Sequence, residues 1–210
     1  GCKYLARPES EVLLLVGTGA QGPVLLDATL KVMKNIKRIL VSNPHSPHKV
    51  PAFIDEIRPS IPADVDILPV QDLETAVRSA DIILTATPSR RALILDQWLK
   101  PGTHLSCIGS DMEGKQELEE QILGRAKVFC DDLKQVVAVG ECEKAVKQGI
   151  LPVQHITEMG NVILGLAEGR CDESEITVFD STGIGLQDLM VASKVTDLSV
   201  EKKLGLEMFL

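Results

Sequence analysis

Short apolar runs alternate along the chain with longer segments in which apolar residues recur at helical spacing. The runs predict six strands, over residues 12–16, 38–42, 64–68, 80–87, 104–109 and 127–131. Helices are predicted between them, the first three over residues 21–35, 51–57 and 72–79. Strands separated by helices of this length join as parallel βαβ units with right-handed crossovers. The pattern therefore predicts an α/β protein with a doubly wound parallel sheet.

A glycine-rich turn follows the first predicted strand. Gly17, Gly19 and Gly22 have the G-x-G-x-x-G spacing. The first glycine permits the turn, the second lets the backbone approach a pyrophosphate, and the third lets the next helix pack close to the strand. The helix N-terminus adds free N–H groups and a positive dipole end. Such turns are common without a nucleotide, but a preceding strand and a following helix predict a Rossmann dinucleotide-binding domain.

Ligands of such sheets bind at the carboxyl ends of the strands. The candidate cofactor-binding residues at these ends are Gly17, Thr18, Gly19, Ala20, Gln21, Ser42, Asn43, Thr85, Ala86, Thr87, Ser89, Ile108 and Gly109. Strand ends lead into polar turns in any protein, and for Thr85 and Ser89 taken singly that explanation is preferred. Asp111, just beyond a central strand, would lie near the reactive end of the cofactor, where a general acid or base is needed.

The cofactor preference depends on residues near the end of the second predicted strand. An acidic residue about 20 positions after the glycines binds the ribose 2′-OH of NAD. Ser42 and Asn43 occupy this place and carry no charge, while Ser46, His48 and Lys49 could bind a 2′-phosphate. No arginine clamp is visible. We therefore expect NAD or NADP, with a slight preference for NADP, and a site that tolerates both stays open.

Composition narrows the class of protein. Hydrophobic residues make up 44% and aromatic residues 3%, so aliphatic side chains must fill the core, as in a parallel sheet covered by helices. A net charge of -8 without a basic stripe argues against a nucleic-acid partner, and no apolar stretch approaches the roughly 20 residues of a membrane span. The five cysteines and four histidines form no ligand pattern, so we expect no metal site and no disulfide framework. We therefore expect the protein in a reducing cytoplasm, with inert buried thiols at Cys107 and Cys130.

Several longer motifs carry a resemblance to a known family. In chain order they are Arg7-Pro8, Gly17-Thr-Gly-Ala-Gln21, Asp81-Ile-Ile-Leu-Thr-Ala-Thr87, Lys100-Pro-Gly-Thr-His104, Ile108-Gly-Ser-Asp111, Gly114-Lys-Gln-Glu-Leu118, Gly140-Glu141, Gly169-Arg170 and Phe179-Asp-Ser-Thr-Gly-Ile-Gly-Leu-Gln-Asp188. From about residue 4 to 204 the chain resembles the ornithine cyclodeaminase/mu-crystallin family. The resemblance implies homodimeric NAD(P)-dependent proteins that form, reduce or deaminate the imines of small amino acids, such as ornithine cyclodeaminases, alanine dehydrogenases and ketimine reductases.

The resemblance also assigns roles to single residues. Asp111 matches the aspartate that transfers a proton at the substrate amine, a residue that some relatives, such as the mu-crystallins, lack. Lys115 and Ser181 match residues near the nicotinamide. From the residues alone, Lys115 is better explained as a solvated side chain in the first turn of a helix. The segment from Ser181 to Gly183 is explained from the residues alone as an N-cap for a helix over residues 184–194, which is compatible with a cofactor contact.

The chain differs from the family pattern at its start. Members carry an N-terminal substrate and dimerisation region of about a hundred residues, whereas the glycine turn begins here at residue 17. We expect a Rossmann domain over residues 8–185, with residues 1–7 and 186–210 joining a mostly absent second domain, the last stretch as a helix and a terminal strand. The expected function is an NAD(P)-dependent oxidoreductase or cyclodeaminase acting on a small amino acid or imine; the alternative is a truncated, non-catalytic NAD(P)-binding module.

Overall fold

A computed structural model describes residues 1–206 of the chain, so the end of the predicted terminal strand, residues 207–210, lies outside the described residues. The strands are β1 (Val12–Val16), β2 (Arg38–Ser42), β3 (Asp66–Pro69), β4 (Ile82–Thr85), β5 (Arg90–Ile94), β6 (His104–Cys107), β7 (Gln116–Leu118), β8 (Lys127–Cys130), β9 (Ile156–Glu158) and β10 (Thr177–Asp180). The α-helices are α1 (Cys2–Leu5), α2 (Gln21–Val32), α3 (Val50–Ile57), α4 (Leu73–Ser79), α5 (Glu120–Arg125), α6 (Leu133–Val139), α7 (Cys142–Lys147), α8 (Met159–Ile163) and α9 (Gly185–Lys202).

Eight of the strands form one parallel sheet in the order β3-β2-β1-β4-β6-β10-β8-β9. The chain runs outward from β1 through β2 to β3 and then returns to β4 on the other side of β1. The strand order therefore reverses between β1 and β4, and the carboxyl ends of these two strands border the crevice in which such folds bind ligands. The predicted doubly wound Rossmann fold is confirmed.

Strand β1 shows how the sheet separates two cores. Successive side chains of a strand point to opposite faces. Leu13 and Leu15 accordingly pack with α2 and α3 on one face, whereas Leu14 and Val16 pack with residues of α4 and α5 on the other. All four are fully buried, and burial of each such side chain contributes about 1.5–3 kcal/mol. Burial on both faces explains why β1 is a continuous apolar run rather than an alternating one.

The six predicted strands are all present; β1 and β2 have the predicted bounds, and the bounds of the other four are shifted. Strand β3 begins at Asp66 because the backbone N–H of Val65 closes a turn on the carbonyl of Pro62. Helix α2 ends at Val32 rather than at residue 35, because Met33 is already extended. Four short strands were not predicted: β9 and β10 extend the main sheet, and β5 and β7 form a separate two-stranded parallel sheet.

Helix α9 differs from the other long helices in its exposure. None of its residues is buried, and Leu186, Leu189, Met190 and Val191 are each at least 60% exposed. Its apolar content stays modest, and within residues 1–206 no helix is both long and apolar enough to cross a membrane.

Candidate functional site

The glycine turn lies between β1 and α2 and has the geometry that its spacing predicts. Gly17 has φ 118°, and a Cβ there would lie 2.4 Å from the carbonyl oxygen of Ala86, so only glycine fits. A Cβ at Gly22 would lie 3.0 Å from the ring of Phe53, which brings α2 close to α3. At Gly19, by contrast, a Cβ would have no atom within 4 Å. The backbone at Gly19 is therefore open to a ligand.

The same turn presents unused hydrogen-bond donors. The N–H of Gly17 donates to the carbonyl of Ser42 at 2.8 Å. No acceptor among residues 1–206 receives the N–H groups of Thr18, Gly19 or Ala20, which precede the first turn of α2. Free N–H groups at a helix N-terminus, together with the helix dipole, form an anion site. The turn therefore fits a diphosphate.

Asn43 connects the glycine turn to the loop that follows β2. Its Nδ2 donates to Thr18 Oγ1 at 2.7 Å, and its Oδ1 accepts the N–H of Ser46 at 2.9 Å. A cavity of about 200 Å³ opens beside this bridge, lined by Gly17, Thr18, Gly19, Asn43, His45, Ser46, Lys49, Ala86, Thr87 and Pro88. A second cavity of about 600 Å³ lies beyond Ser42 and Asn43, between α3 and the segment after β3. Together the two cavities continue the crevice from β1 towards β3.

On the other side of the crevice, the polar residues at the end of β4 and after it bond to the protein itself. Thr85 is fully buried and donates its hydroxyl to Glu117 at 2.7 Å. Thr87 Oγ1 accepts the N–H of Ser89, whose own hydroxyl donates to the carbonyl of Arg91. These three hydroxyls therefore shape the loop, and the backbone of Ala86 and Thr87 lines the smaller cavity.

Glu117, at the centre of β7, joins the loops that follow β4 and β6. Its carboxylate accepts the N–H of Thr87 at 2.6 Å and the N–H of Gly109 at 2.9 Å. Glu141 supports β7 from behind by accepting the N–H of Glu117 at 2.7 Å and that of Leu118 at 3.0 Å, together with the hydroxyl of Ser110. The positions of Thr87 and Gly109 at the edge of the crevice thus depend on buried carboxylates.

These buried carboxylates have raised pKa values. Burial raises the pKa of Glu117, although the hydroxyl of Thr85 and the N–H groups of Thr87 and Gly109 favour its ionised form. Burial and the neighbouring Glu117 raise the pKa of Glu141 to about 8. Burial likewise raises the pKa of Asp180 to about 7, and its Oδ1 is buried without a hydrogen-bond partner in the described part of the chain.

Comparison with known proteins adds to this geometry. A model of the ornithine cyclodeaminase/mu-crystallin family matches residues 1–203. The chain belongs to this family. The resemblance of the sequence motifs is thereby confirmed, and it covers the crevice and every residue proposed for it.

Family members of known sequence and structure resemble most of the chain. An alanine dehydrogenase of Archaeoglobus fulgidus is 38% identical over 206 residues, 97% of this chain and 61% of the relative. An iminosuccinate reductase of Paracoccus denitrificans is 34% identical, over 98% of this chain and 62% of the relative. The solved structure of an archaeal alanine dehydrogenase dimer with bound NAD superimposes with a TM-score of 0.90 at 35% identity, over 100% of this chain and 63% of that one.

A further relative was solved with both of its ligands. The Δ1-pyrroline-2-carboxylate reductase of Thermococcus litoralis, in complex with NADH and L-proline, superimposes with a TM-score of 0.91 at 26% identity. The match covers 99% of this chain and 64% of that one. The chain thus spans less than two thirds of the length of these relatives. None of them supports the alternative of a non-catalytic module.

Asp111 and Lys115, which belong to two of the family motifs, form an ion pair outside the smaller cavity. Lys115 donates to the carboxylate of Asp111, whose side chain is 51% exposed, while that of Lys115 is only 16% exposed. The alternative of a solvated lysine in the first turn of a helix is wrong, because Lys115 directly precedes strand β7 and lies outside any helix. The ion pair covers the ammonium group and holds it beside the candidate proton-transfer group.

Ser181 follows β10 and does not cap the last helix. Its hydroxyl donates to Asp131 at 3.0 Å, and Asp131 also receives the hydroxyl of Thr182 and the N–H of Gly183. Helix α9 begins only at Gly185, after Ile184 and without a side-chain cap. The N-cap prediction is therefore wrong, because Asp131 binds the polar groups of this segment before they reach the helix.

The structure brings some of the sequence-predicted site residues together and leaves others apart. Gly17, Thr18, Gly19, Asn43, Ala86 and Thr87 line one cavity, whereas Ile108, Asp111, Lys115 and Ser181 lie outside it. Sequence reasoning missed Glu117, Glu141 and Asp180. Their signal was present in the motifs Gly114-Lys-Gln-Glu-Leu118, Gly140-Glu141 and Phe179-Asp180, which carried the resemblance but received no chemical role.

Proposed function

We propose that this chain forms the cofactor-binding part of an NAD(P)-dependent enzyme that transfers a hydride at the α-carbon of a small amino acid or its imine. The observation that carries the proposal is the turn from Gly17 to Ala20, with its open face and three free N–H donors at the N-terminus of α2. It lies at the position in the sheet where such folds bind a dinucleotide. Relatives solved with NAD or NADH support this assignment.

The crevice suggests which residues hold each part of the cofactor. We assign the diphosphate to the N–H groups of residues 18–20 and to Gln21, the adenosine ribose to Ser42 and Asn43, and the adenine to the cavity of about 600 Å³ between α3 and β3. The nicotinamide half then extends over the carboxyl ends of β4 and β6, along Ala86, Thr87 and Gly109. Bound there, a nicotinamide supplies the hydride donor or acceptor, and the protein supplies position and electrostatics.

Asp111 is the residue to which we assign proton transfer at the substrate nitrogen. It lies in the loop after β6, two residues beyond Gly109, and its side chain is 51% exposed. Lys115 holds that carboxylate in place by an ion pair. We assign Ile108, Lys115 and Ser181 to the surroundings of the nicotinamide end. A proton-transfer group must lie within hydrogen-bond reach of its substrate, so replacement of Asp111 by alanine should abolish turnover and preserve cofactor binding.

We further propose that the site accepts both cofactors with a modest preference for NADP. No carboxylate stands beside Ser42 and Asn43 to repel a 2′-phosphate. Ser46 and Lys49 line the smaller cavity next to Asn43 and can donate to a phosphate. His48, the third candidate, is exposed outside this cavity. Replacement of Lys49 by alanine should therefore weaken NADPH binding more than NADH binding, whereas Lys34→Ala, at an exposed position just beyond the end of α2, should change neither.

The relatives support a proposal for the substrate class and for the assembly. They include enzymes named for alanine, iminosuccinate and pyrroline-2-carboxylate, all of them small amino acids or imines, and one of them was solved as a dimer. We propose a substrate of this class and a homodimer for the whole protein. Analysis of the products distinguishes a cofactor that is recycled, as in a cyclodeaminase, from one that is released in changed form, as in a dehydrogenase.

The first experiment is a fluorescence titration of the purified protein with NADH and, separately, with NADPH. Saturable binding of either is expected, and the ratio of the two dissociation constants measures the preference at Asn43 and Lys49. Absence of binding by both cofactors would refute the assignment of the crevice to a dinucleotide. A preference for NADH would overturn only the NADP part of the proposal.

A further inference from the structure

Glu117 lies directly behind the backbone of Gly109. A Cβ at Gly109 would lie 2.6 Å from Glu117 Oε1 and 2.3 Å from the carbonyl oxygen of Thr87. Only a glycine therefore lets the chain pass between the crevice and this carboxylate. The Glu117 side chain is fully buried, and its three hydrogen-bond donors are the N–H groups of Thr87 and Gly109 and the hydroxyl of Thr85. All three groups come from the ends of β4 and β6.

The charge of Glu117 is not balanced by a neighbouring cation. None of the ion pairs found among residues 1–206 includes Glu117, Glu141 or Asp180. Above the pKa of about 8 that burial gives it, Glu141 adds to the negative potential from behind, because it binds the N–H of Glu117 itself. Lys115, the nearest lysine in sequence, pairs with Asp111 instead.

An unbalanced buried charge acts strongly on its surroundings, because the protein interior screens it far less than water does. Water is excluded here by the loops themselves, since Thr85, Thr87 and Ser110 are all buried. The backbone of Gly109, which donates its N–H to the carboxylate, would separate Glu117 from a ligand bound over the end of β6. A positive charge placed over Gly109 would therefore be stabilised relative to a neutral group of the same shape.

We propose that Glu117 makes the nicotinamide half of the crevice selective for the oxidised, positively charged ring over the reduced, neutral ring. This inference rests on the proposed function, because it needs a nicotinamide cofactor over the ends of β4 and β6. The two redox forms share the same diphosphate and adenosine, so the ratio of their dissociation constants isolates the charge of the ring. Glu117 is in this sense a specificity-determining residue that acts through the backbone of Gly109.

The test compares NAD⁺ and NADH binding to the wild type, Glu117→Gln and a matched control, Glu119→Gln. Glu119 lies two residues further along the chain, and its carboxylate accepts the N–H of Asp96 rather than any N–H group of the crevice loops. Calorimetric titrations are made about one unit above the pKa of about 8 that burial gives Glu141, so that Glu141 is ionised, and the N–H and O–H groups bound to Glu117 favour its ionised form. In Glu117→Gln the ratio Kd(NAD⁺)/Kd(NADH) should rise about tenfold, the size of one partly screened charge interaction. In Glu119→Gln the ratio should stay at the wild-type value.

A purely structural role predicts a different outcome. If Glu117 only held the two loops together, Glu117→Gln would weaken both redox forms equally, and the unchanged ratio would overturn the proposal. If that variant does not fold, Glu141→Gln removes the charge behind it and should raise the same ratio by about threefold. An unchanged ratio there would overturn the proposal as well. Failure of the wild type to bind either form would refute the proposed function instead, so the two failures are distinguishable.

Discussion

The two glycines at the start of the turn allow the cofactor assignment to be separated from the stability of the fold. Gly19 has no positive φ, and a methyl group added to its Cα would have no atom within 4 Å. Gly19→Ala should therefore change the free energy of unfolding by less than about 1 kcal/mol, and the loss of a flexible glycine from the unfolded chain acts in the stabilising direction. The added methyl group would, however, stand beside the free N–H groups of Thr18 and Ala20, where a diphosphate must approach.

Gly17→Ala provides the contrast. A residue with a side chain at φ 118° costs about 1–3 kcal/mol, and a Cβ at 2.4 Å from the carbonyl of Ala86 forces a backbone shift that costs a further 1–3 kcal/mol, roughly. The expected destabilisation is therefore about 2–6 kcal/mol. Because β1 is central, this loss should appear in the cooperative unfolding of the whole sheet rather than as local fraying.

Two assays on each variant test the reasoning. Urea unfolding followed by circular dichroism gives the free energy of unfolding, and fluorescence titration gives the dissociation constant of NADH. Gly19→Ala should unfold like the wild type and bind NADH at least about tenfold more weakly, a loss of roughly 1.4 kcal/mol. Wild-type affinity in a normally folded Gly19→Ala protein would refute the assignment of the turn to the diphosphate. Wild-type stability of Gly17→Ala would refute the steric argument.

Two further predictions concern the pH dependence of stability, measured by urea unfolding at several pH values. Burial raises the pKa of Glu141 to about 8, so the stability that this group contributes is complete below its ordinary pKa near 4.5 and is lost as the pH rises to about 8. Glu141→Gln should flatten this decline in the free energy of unfolding by up to about 1.4 kcal/mol per pH unit. An unchanged slope would contradict a neutral Glu141. The pKa of Asp81 is shifted in the opposite direction. Burial opposes the ionisation of this carboxyl group, but the ammonium of Lys100 and the N–H groups of Val12 and Glu11 outweigh burial and lower its pKa. Asp81→Asn should therefore cost about 3 kcal/mol at neutral pH, and the difference from the wild type should shrink as the pH falls below about 4; a constant difference would contradict it.

The elements that could be predicted are those whose burial leaves a mark on the sequence. Strands β1 and β4 lie in the middle of the sheet and are buried on both faces, so their apolar runs are unmistakable. Strand β7 is also fully buried, but it contains Gln116 and Glu117, whose partners come from distant parts of the chain. A three-residue strand with two polar side chains has no period to detect. Strand β5 is similarly hidden, because it begins with two exposed arginines.

The same distinction applies to the candidate site. The glycine turn was predictable because its requirements are local: a positive φ, a close neighbour and a following helix. The buried carboxylates were not, because a glutamate in a single sequence is ordinarily a surface residue. Glu141 is buried only because three donors from the segment between Ser110 and Leu118 converge on it. Convergence of this kind depends on the folded path of the chain and leaves no spacing pattern.

The crevice divides its backbone donors between the protein and a ligand. At the ends of β4 and β6, the N–H groups of Thr87 and Gly109 are already bound by Glu117, so this half does not offer these two donors to an anion and has a buried carboxylate behind it. At the end of β1, the N–H groups of residues 18–20 are free and the dipole of α2 makes the potential positive. A ligand that matches both halves must carry its negative charge at one end and a neutral or positive group at the other. A nicotinamide dinucleotide has this distribution, with its diphosphate over the glycine turn and its ring towards β6, whereas a simple phosphate ester would match only the first half.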